Sequence, residues 1–184
     1  YYTMWIHQIK TPISAIKMVI QKENLREKAL ISQEVLKIEQ YAEMILGYLR
    51  VGSINSDWTF KRYNVKEIVK DAVKRFSPVF IYNKISLEID DFNNIVITDK
   101  KWLTLVIEQV LSNALKYTDK GKISITMNER NLLFIKDTGI GIRKDDIPRV
   151  FERGFTGING RIERTSTGLG LYLCKKIMDK MQNN

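Results

Sequence analysis

Two apolar seams in the first fifty residues constrain the fold of this chain more than any other feature. Ile6, Ile9, Ile13, Ile16 and Ile20 recur at alternating spacings of three and four, and so do Ile31, Val35, Ile38, Ala42, Ile45 and Leu49. That alternation keeps the side chains on one face of a helix. The pattern predicts a helix over 1–22, a tight connection at 23–27 and a second helix ending near Val51. Together they make an antiparallel hairpin. Two helices alone bury two such seams poorly. Pairing with a second copy to give a four-helix bundle is the simplest closed solution. The alternative is that the seams pack on the rest of the chain.

His7, the only histidine, lies one step off the first seam. It is expected at the edge of the buried face, pointing to water. An imidazole with an ordinary pKa of about 6.5 is a usable nucleophile near neutral pH. Pro12 follows five residues on. In a helix its ring clashes with the carbonyl of Gln8 and bends the chain beside His7. Taken alone, this stretch reads as a surface histidine near a helix start.

No run approaches the ~20 apolar residues of a membrane-spanning helix, and no stretch has the charged-then-apolar pattern expected of a signal peptide. The chain opens mid-pattern at Tyr1, without an initiator methionine, which reads as an excised piece of something longer. A lone cysteine, Cys174, excludes an internal disulfide and suits a reducing compartment. Its apolar neighbours place it in the core. Net charge is +9, unevenly spread. Residues 1–60 hold 7 Lys and Arg against 6 Asp and Glu; residues 61–184 hold 23 against 15. The basic charges are scattered, with no basic helix interleaved with aromatics, so nucleic acid is not the expected partner.

The only clear linker is 52–57, Gly-Ser-Ile-Asn-Ser-Asp. Beyond it the pattern changes. A helix over 65–76 is expected, capped by Asn64 with Glu67 three residues on and ended by Ser77-Pro78. Strands are expected at 85–89, 95–97, 122–127 and 132–135, the last two joined by a hairpin through 128–131. Asp99 caps a long helix over 100–117, and a last helix covers 169–181. This order suggests an α/β two-layer sandwich.

Three spots in this half carry chemistry. On the long helix, Leu103, Ile107, Val110 and Ala114 make the expected buried face, while Gln109, Asn113, Lys116 and Tyr117 share another. An amide oxygen suits Mg²⁺ and an ammonium suits phosphate; a merely solvated polar face is the alternative. Asp137-Thr138-Gly139-Ile140-Gly141 follows a strand directly, where a carboxylate can accept from an exocyclic amine and glycines let backbone approach a ligand. Thr167-Gly168-Leu169-Gly170-Leu171 opens the last helix, where free N–H groups and the helix dipole bind phosphate. Ordinary turn glycines would explain either pair alone. Neither is a Walker or a Rossmann motif.

Taken together, five stretches resemble the boxes of the bacterial two-component sensor histidine kinases. They are His7-Gln8-Ile9-Lys10-Thr11-Pro12, Asn113-Ala114-Leu115-Lys116-Tyr117, Asp137-Thr138-Gly139-Ile140-Gly141, Phe151-Glu152-Arg153-Gly154-Phe155 and Thr167-Gly168-Leu169-Gly170-Leu171. Trp5, Gly154-Phe155-Thr156-Gly157 and Asn159-Gly160-Arg161 resemble the intramembrane-sensing, bacitracin-type branch, whose kinases work with peptide-antibiotic transporters. The resemblance implies a dimerisation and histidine-phosphotransfer hairpin, 1–57, followed by a Bergerat-type (GHKL) α/β-sandwich ATP-binding domain, 58–184.

It also implies roles. His7 attacks the γ-phosphate of ATP and passes the phosphoryl group to an aspartate of a response regulator. Thr11 positions water for the reverse, phosphatase activity. Asn113 holds Mg²⁺ with Gln109 near it, Lys116 contacts phosphate, Tyr117 packs near the nucleoside and Asp137 reads the adenine amine. Gly139, Gly141, Thr167, Gly168, Leu169 and Gly170 shape the nucleotide pocket. The stretch 142–167 is its lid, with Phe151 and Phe155 as apolar anchors and Arg153 as a phosphate contact. The implied setting is a homodimer, the cytoplasmic portion of a membrane protein, with a transporter reached through a membrane segment outside this chain.

The chain departs from the family pattern at three places. Gln8 stands where an acidic residue is usual; it can orient the His7 ring but has no usable basicity. Gln109 stands where Asn is usual. The chain stops at Asn184, where the family adds strands that complete the sheet, so either the ATP-binding domain is incomplete here or its terminus is unusual. Two rival readings are an ATPase of the same superfamily and a scaffold that only dimerises. The ATPase would need a glutamate at position 109, and Glu108 is turned about 100° from it.

Overall fold

A computed structural model describes residues 9, 12–16, 25–52, 58–157 and 167–182. His7, Gln8 and Thr11 fall outside them, as do 158–166 of the expected lid. Residues 12–16 are helical, within the first expected helix. Helix α1 spans Leu25–Val51 and so begins inside the expected connection. There follow β1 (Lys61–Asn64), α2 (Val65–Asn83), β2 (Ser86–Ile89), β3 (Ile95–Thr98), α3 (Lys100–Lys116), β4 (Lys122–Met127), β5 (Leu133–Asp137), a 3₁₀ turn (Ile147–Arg149) and α4 (Gly170–Gln182).

Side-chain caps fix where α2 and α3 start. The Asn64 side chain accepts from the Lys66 N–H, and Asp99 accepts from those of Lys101 and Trp102. A second Asp99 oxygen accepts from the Thr59 N–H at 2.7 Å, tying the preceding segment to the same cap. Helix α2 runs through Pro78 to Asn83, which corrects the expected stop at Ser77-Pro78. Pro78 cannot donate to the Lys74 carbonyl four residues back. The Ser77 hydroxyl donates to it instead, at 2.8 Å, and the helix continues. Strand β1 is an addition to the expected set. Its sequence Lys-Arg-Tyr-Asn has no apolar alternation, and antiparallel backbone pairing with β3 creates it.

Strands β2, β4 and β5 form a mixed sheet, β2 parallel to β4 and β4 antiparallel to β5. Its register aligns Leu87 with Ile123 and Asp137, and Ile89 with Ile125 and Ile135. These rows face the helices. Ile123 and Ile125 are fully buried among Ile68, Val69, Phe76, Ile107 and Leu111. Asp137 therefore lies in a core-facing row at the end of its strand, and its carboxylate is aimed inward by the same alternation that buries the isoleucines. The core face of α3 runs through Ile107, Leu111, Ala114 and Leu115. Leu103 is only partly buried and Val110 lines a cavity, which shifts that face from the expected Leu103, Ile107, Val110, Ala114 set.

Helix α1 packs on this sandwich by a face its seam did not announce. Leu36 joins the main core, while Met44 and Val51 join a second cluster with Trp102, Leu169, Leu173 and Ile177. Gly47 is buried in this contact. A Cβ there would stand 3.3 Å from side-chain carbons of both Leu105 and Leu173. At 100° per residue, the line through 36, 40, 44, 47 and 51 lies roughly 180° round the helix from the expected seam. Val35 and Leu49 of that seam are exposed, at 41% and 50% of their surface.

Candidate functional site

A cavity of about 300 Å³ opens between α3, the end of β5, the loop after it and the start of α4. It collects residues that are far apart in sequence. Gln109, Asn113 and Tyr117 enter from α3, and Asp137 from β5. Gly141 enters from the loop, and Gly168 and Gly170 from the last turn. Phe155, expected as a lid anchor, lines it too, while Phe151 is exposed.

Three of the four residues grouped on that face of α3, Gln109, Asn113 and Tyr117, thus line the cavity. Lys116 is not on the wall; its ammonium lies 5.2 Å from the centre of the Tyr117 ring. Gly139, Thr167 and Leu169 are structural neighbours of the cavity. The Gly139 N–H donates to one Asp137 carboxylate oxygen at 2.9 Å, and Ile140 N–H donates to the Tyr117 carbonyl at 3.1 Å. This ties the loop to the end of α3. A Cβ on Gly139 would sit 2.1 Å from the Tyr117 carbonyl oxygen, so only glycine lets the loop come this near. Asp137 is thereby oriented by one oxygen and keeps acceptor capacity for a ligand.

The turn before α4 is similarly tight. The Thr167 hydroxyl accepts from the Leu169 N–H at 3.2 Å, and Leu169 anchors the turn in the core at 1% exposure. Gly168 has φ +64°, and its carbonyl accepts from the Gly154 N–H at 2.9 Å. A side chain there would meet Gly154 and Phe155 backbone at 2.4–2.6 Å. At Gly170 a Cβ would fall 2.4 Å from the Gln109 side-chain nitrogen. The first turn of α4 and the amide of Gln109 therefore share one cradle, with the free N–H groups of the helix start beside it.

Glu108 does not join the site. It is buried and receives a hydrogen bond from Arg75 at 2.8 Å. Burial pushes its carboxyl upward, and the Arg75 guanidinium opposes that shift. Cys174 is buried, and burial pushes its thiol up to about 12. The sequence reading did not single out Ile135, Arg143, Asp146, Val150, Thr156 and Gly157 as lining residues, although all but Ile135 lie in the stretch expected as the lid. Ile135 was legible from the inward alternation of β5. Within the loop no periodicity picks out which residues face the cavity. Among the described residues no group of three His, Cys, Asp or Glu could hold a metal ion, and no helix is long and apolar enough to cross a membrane.

Comparison with known proteins agrees with this geometry. Residues 98–184 match the family described as histidine kinase-, DNA gyrase B-, and HSP90-like ATPase. Over its whole length the chain is 35% identical to sensor histidine kinase YxdK of Bacillus subtilis, and it covers 58% of that protein. Over 97% of its length it is 37% identical to sensor protein kinase GraS of Staphylococcus aureus strain JH1, covering 53% of it. The chain thus spans little more than half of these relatives. Among solved structures, Acinetobacter baumannii histidine kinase AdeS superimposes with a TM-score of 0.63 at 22% identity, over 93% of this chain and 85% of that one. Histidine kinase ThkA, solved in complex with response regulator protein TrrA, gives 0.61 at 21% identity, over 96% of this chain and 53% of that one. The likeness of fold covers the helical part as well as the sandwich. Over its whole length the chain is thus similar to sensor histidine kinases, and its residues 98–184 match an ATPase family that includes them.

Proposed function

We propose that the chain binds ATP in this cavity and phosphorylates itself on His7, then passes the phosphoryl group to an aspartate of a response regulator. The observation that carries the reading is the convergence of Asn113, Asp137 and the Gly168–Gly170 turn on one cavity, in a chain with kinase relatives. The Asp137 carboxylate accepts from the adenine amine, and Tyr117 flanks the nucleoside. The phosphates lie toward the free N–H groups of the α4 start, with Lys116 swinging from the Tyr117 ring to meet them. Asn113 and Gln109 both line the cavity, and their amide oxygens suit a hard cation shared with phosphate. Mg²⁺ held there would neutralise charge on the transferring group.

The proposed division is a phosphotransfer hairpin at 1–57 and an ATP-binding unit at 58–184. Gln8 orients the His7 imidazole and Thr11 positions water for the reverse reaction. The exposed seam residues Val35, Ala42 and Leu49 support a homodimer, since a second hairpin would cover them. The ThkA–TrrA complex supports a response regulator as phosphate acceptor. A cytoplasmic position beneath a membrane segment, and a transporter partner, complete the proposal by analogy with the bacitracin-type branch.

The test is the fate of the γ-phosphate of radiolabelled ATP. Acid-labile, alkali-stable label on the protein is the expected result. Free phosphate without label would mean an ATPase, and neither would mean a scaffold. The position of Glu108 argues against the ATPase, because the carboxylate that would have to activate water is held by Arg75.

A further inference from the structure

The end of β5 carries a fastening on the side away from the cavity. Thr138 follows Asp137, and strand alternation turns its side chain to the opposite, exposed face. It does not line the cavity. Its hydroxyl accepts from the Lys122 N–H at 3.0 Å and donates to the Lys122 carbonyl at 3.4 Å. The Thr138 N–H donates to the same carbonyl at 3.2 Å. The last residue pair in the β4–β5 register is Ile123 with Asp137. The Thr138 side chain thus supplies one more rung where the ladder of residue pairs runs out.

Gly121 makes room for this contact. It has φ +138°, and a Cβ there would stand 2.0 Å from the Thr138 hydroxyl oxygen. The Thr118 methyl lies 3.8 Å from the same Cβ position. The fastening therefore gathers the turn after α3, the start of β4 and the end of β5. Asp137 lies between the last rung and the glycine loop, where the Gly139 N–H holds one carboxylate oxygen at 2.9 Å.

We infer that Thr138 is a positioning residue for base recognition, its hydroxyl fixing the direction in which Asp137 presents its remaining acceptor capacity. Sheet register fixes the backbone before Asp137. After it come Gly139 and Gly141, whose backbones can turn freely. Thr138 is the side chain that separates the two regimes. A hydrogen bond weakens steeply as it leaves its line. A twist at the Asp137–Thr138 peptide would swing the carboxylate off an exocyclic amine and leave the walls given by α3 and α4 in place. The hydroxyl thus controls recognition of the amine and not of the triphosphate. The inference rests on the proposed pairing of Asp137 with the adenine amine.

The test compares, on the full chain and by calorimetric titration, ATP with purine riboside triphosphate, which carries hydrogen in place of that amine. The parent is expected to prefer ATP by about tenfold or more. Thr138→Val keeps the shape and removes the hydroxyl; its preference is expected to fall to about threefold or less, through weaker ATP binding, with the affinity for the amine-free nucleotide unchanged. That second affinity also reports whether the variant is folded, and Thr138→Ala replaces it if it is not. Thr138→Ser restores the hydroxyl and is expected to return the preference to within about twofold of the parent. A merely structural role would weaken both nucleotides together and leave their ratio at the parental value. That result, or a serine variant that behaves like the valine one, overturns the inference while the ATP reading stands. A parent that binds neither nucleotide overturns the ATP reading and the inference with it.

Discussion

Helices α1 and α3 carry comparable apolar periodicity and are used very differently. Helix α3 presents Ile107, Leu111 and Ala114 to the core, Gln109, Asn113 and Tyr117 to the cavity, and Glu108 to Arg75. Every side of it has an assigned partner. Helix α1 buries Leu36, Met44 and Val51 and leaves Val35, Ala42 and Leu49 in solvent. Periodicity shows that a face is apolar, but not what covers it. On α3 the partner is set by sheet register and by caps close in sequence. On α1 the stronger seam is left half open, with Val35, Ala42 and Leu49 exposed and Ile45 at the edge of the second cluster, while a weaker line, interrupted by Gln40 and Gly47, meets the sandwich.

The sharpest way to break this comparison is at a position on the α3 side where no freedom remains. Gly168→Val forces a branched side chain into φ +64° and against backbone at 2.4 Å. We expect a loss of about 3 kcal/mol or more, from strain and overpacking together, with nucleotide binding abolished; calorimetric melting and ATP titration check both. Ile125→Ala, in the fully buried row of the sheet, is expected to cost about 2–5 kcal/mol by urea unfolding.

The caps and the rows that define this half are legible in the sequence. Asn64 and Asp99 read as N-caps because their side chains precede apolar helical periods, and both make the capping bonds. Most of the site is legible too, since glycines and an Asp at a strand end have few cheaper explanations in combination. What escapes is mostly non-local. Strand β1 pairs only with β3, and Arg75 bonds Glu39 and Glu43 of α1 from more than thirty residues away; nearer by, the Ser77 hydroxyl takes the Lys74 carbonyl that Pro78 leaves without a donor. Helical spacing groups Lys116 with the site, yet its side chain leaves the wall for the Tyr117 ring, because a flexible side chain is not fixed by its Cα position.

Smaller effects sharpen the contrast. Asp99→Ala removes two cap bonds and the tie to Thr59, and we expect a loss of about 1–2 kcal/mol in thermal unfolding. Leu49→Lys on the open face of α1 should change the stability of the single chain by no more than about 0.5 kcal/mol. It should nevertheless abolish dimerisation in sedimentation. A large loss of stability with no change of mass would show that the seam packs within one chain.

The central claim is that the Gln109–Asn113–Tyr117 face of α3, rather than the Glu108 side, performs the chemistry. It is tested most directly by the initial rate of acid-labile, alkali-stable labelling from ATP in Asn113→Ala, with thermal melting recorded alongside. Loss of one electrostatic contact to the transferring group predicts a fall of about 100-fold or more, with melting within a few degrees of the parent. A folded Asn113→Ala variant that labels at the parental rate would contradict the account.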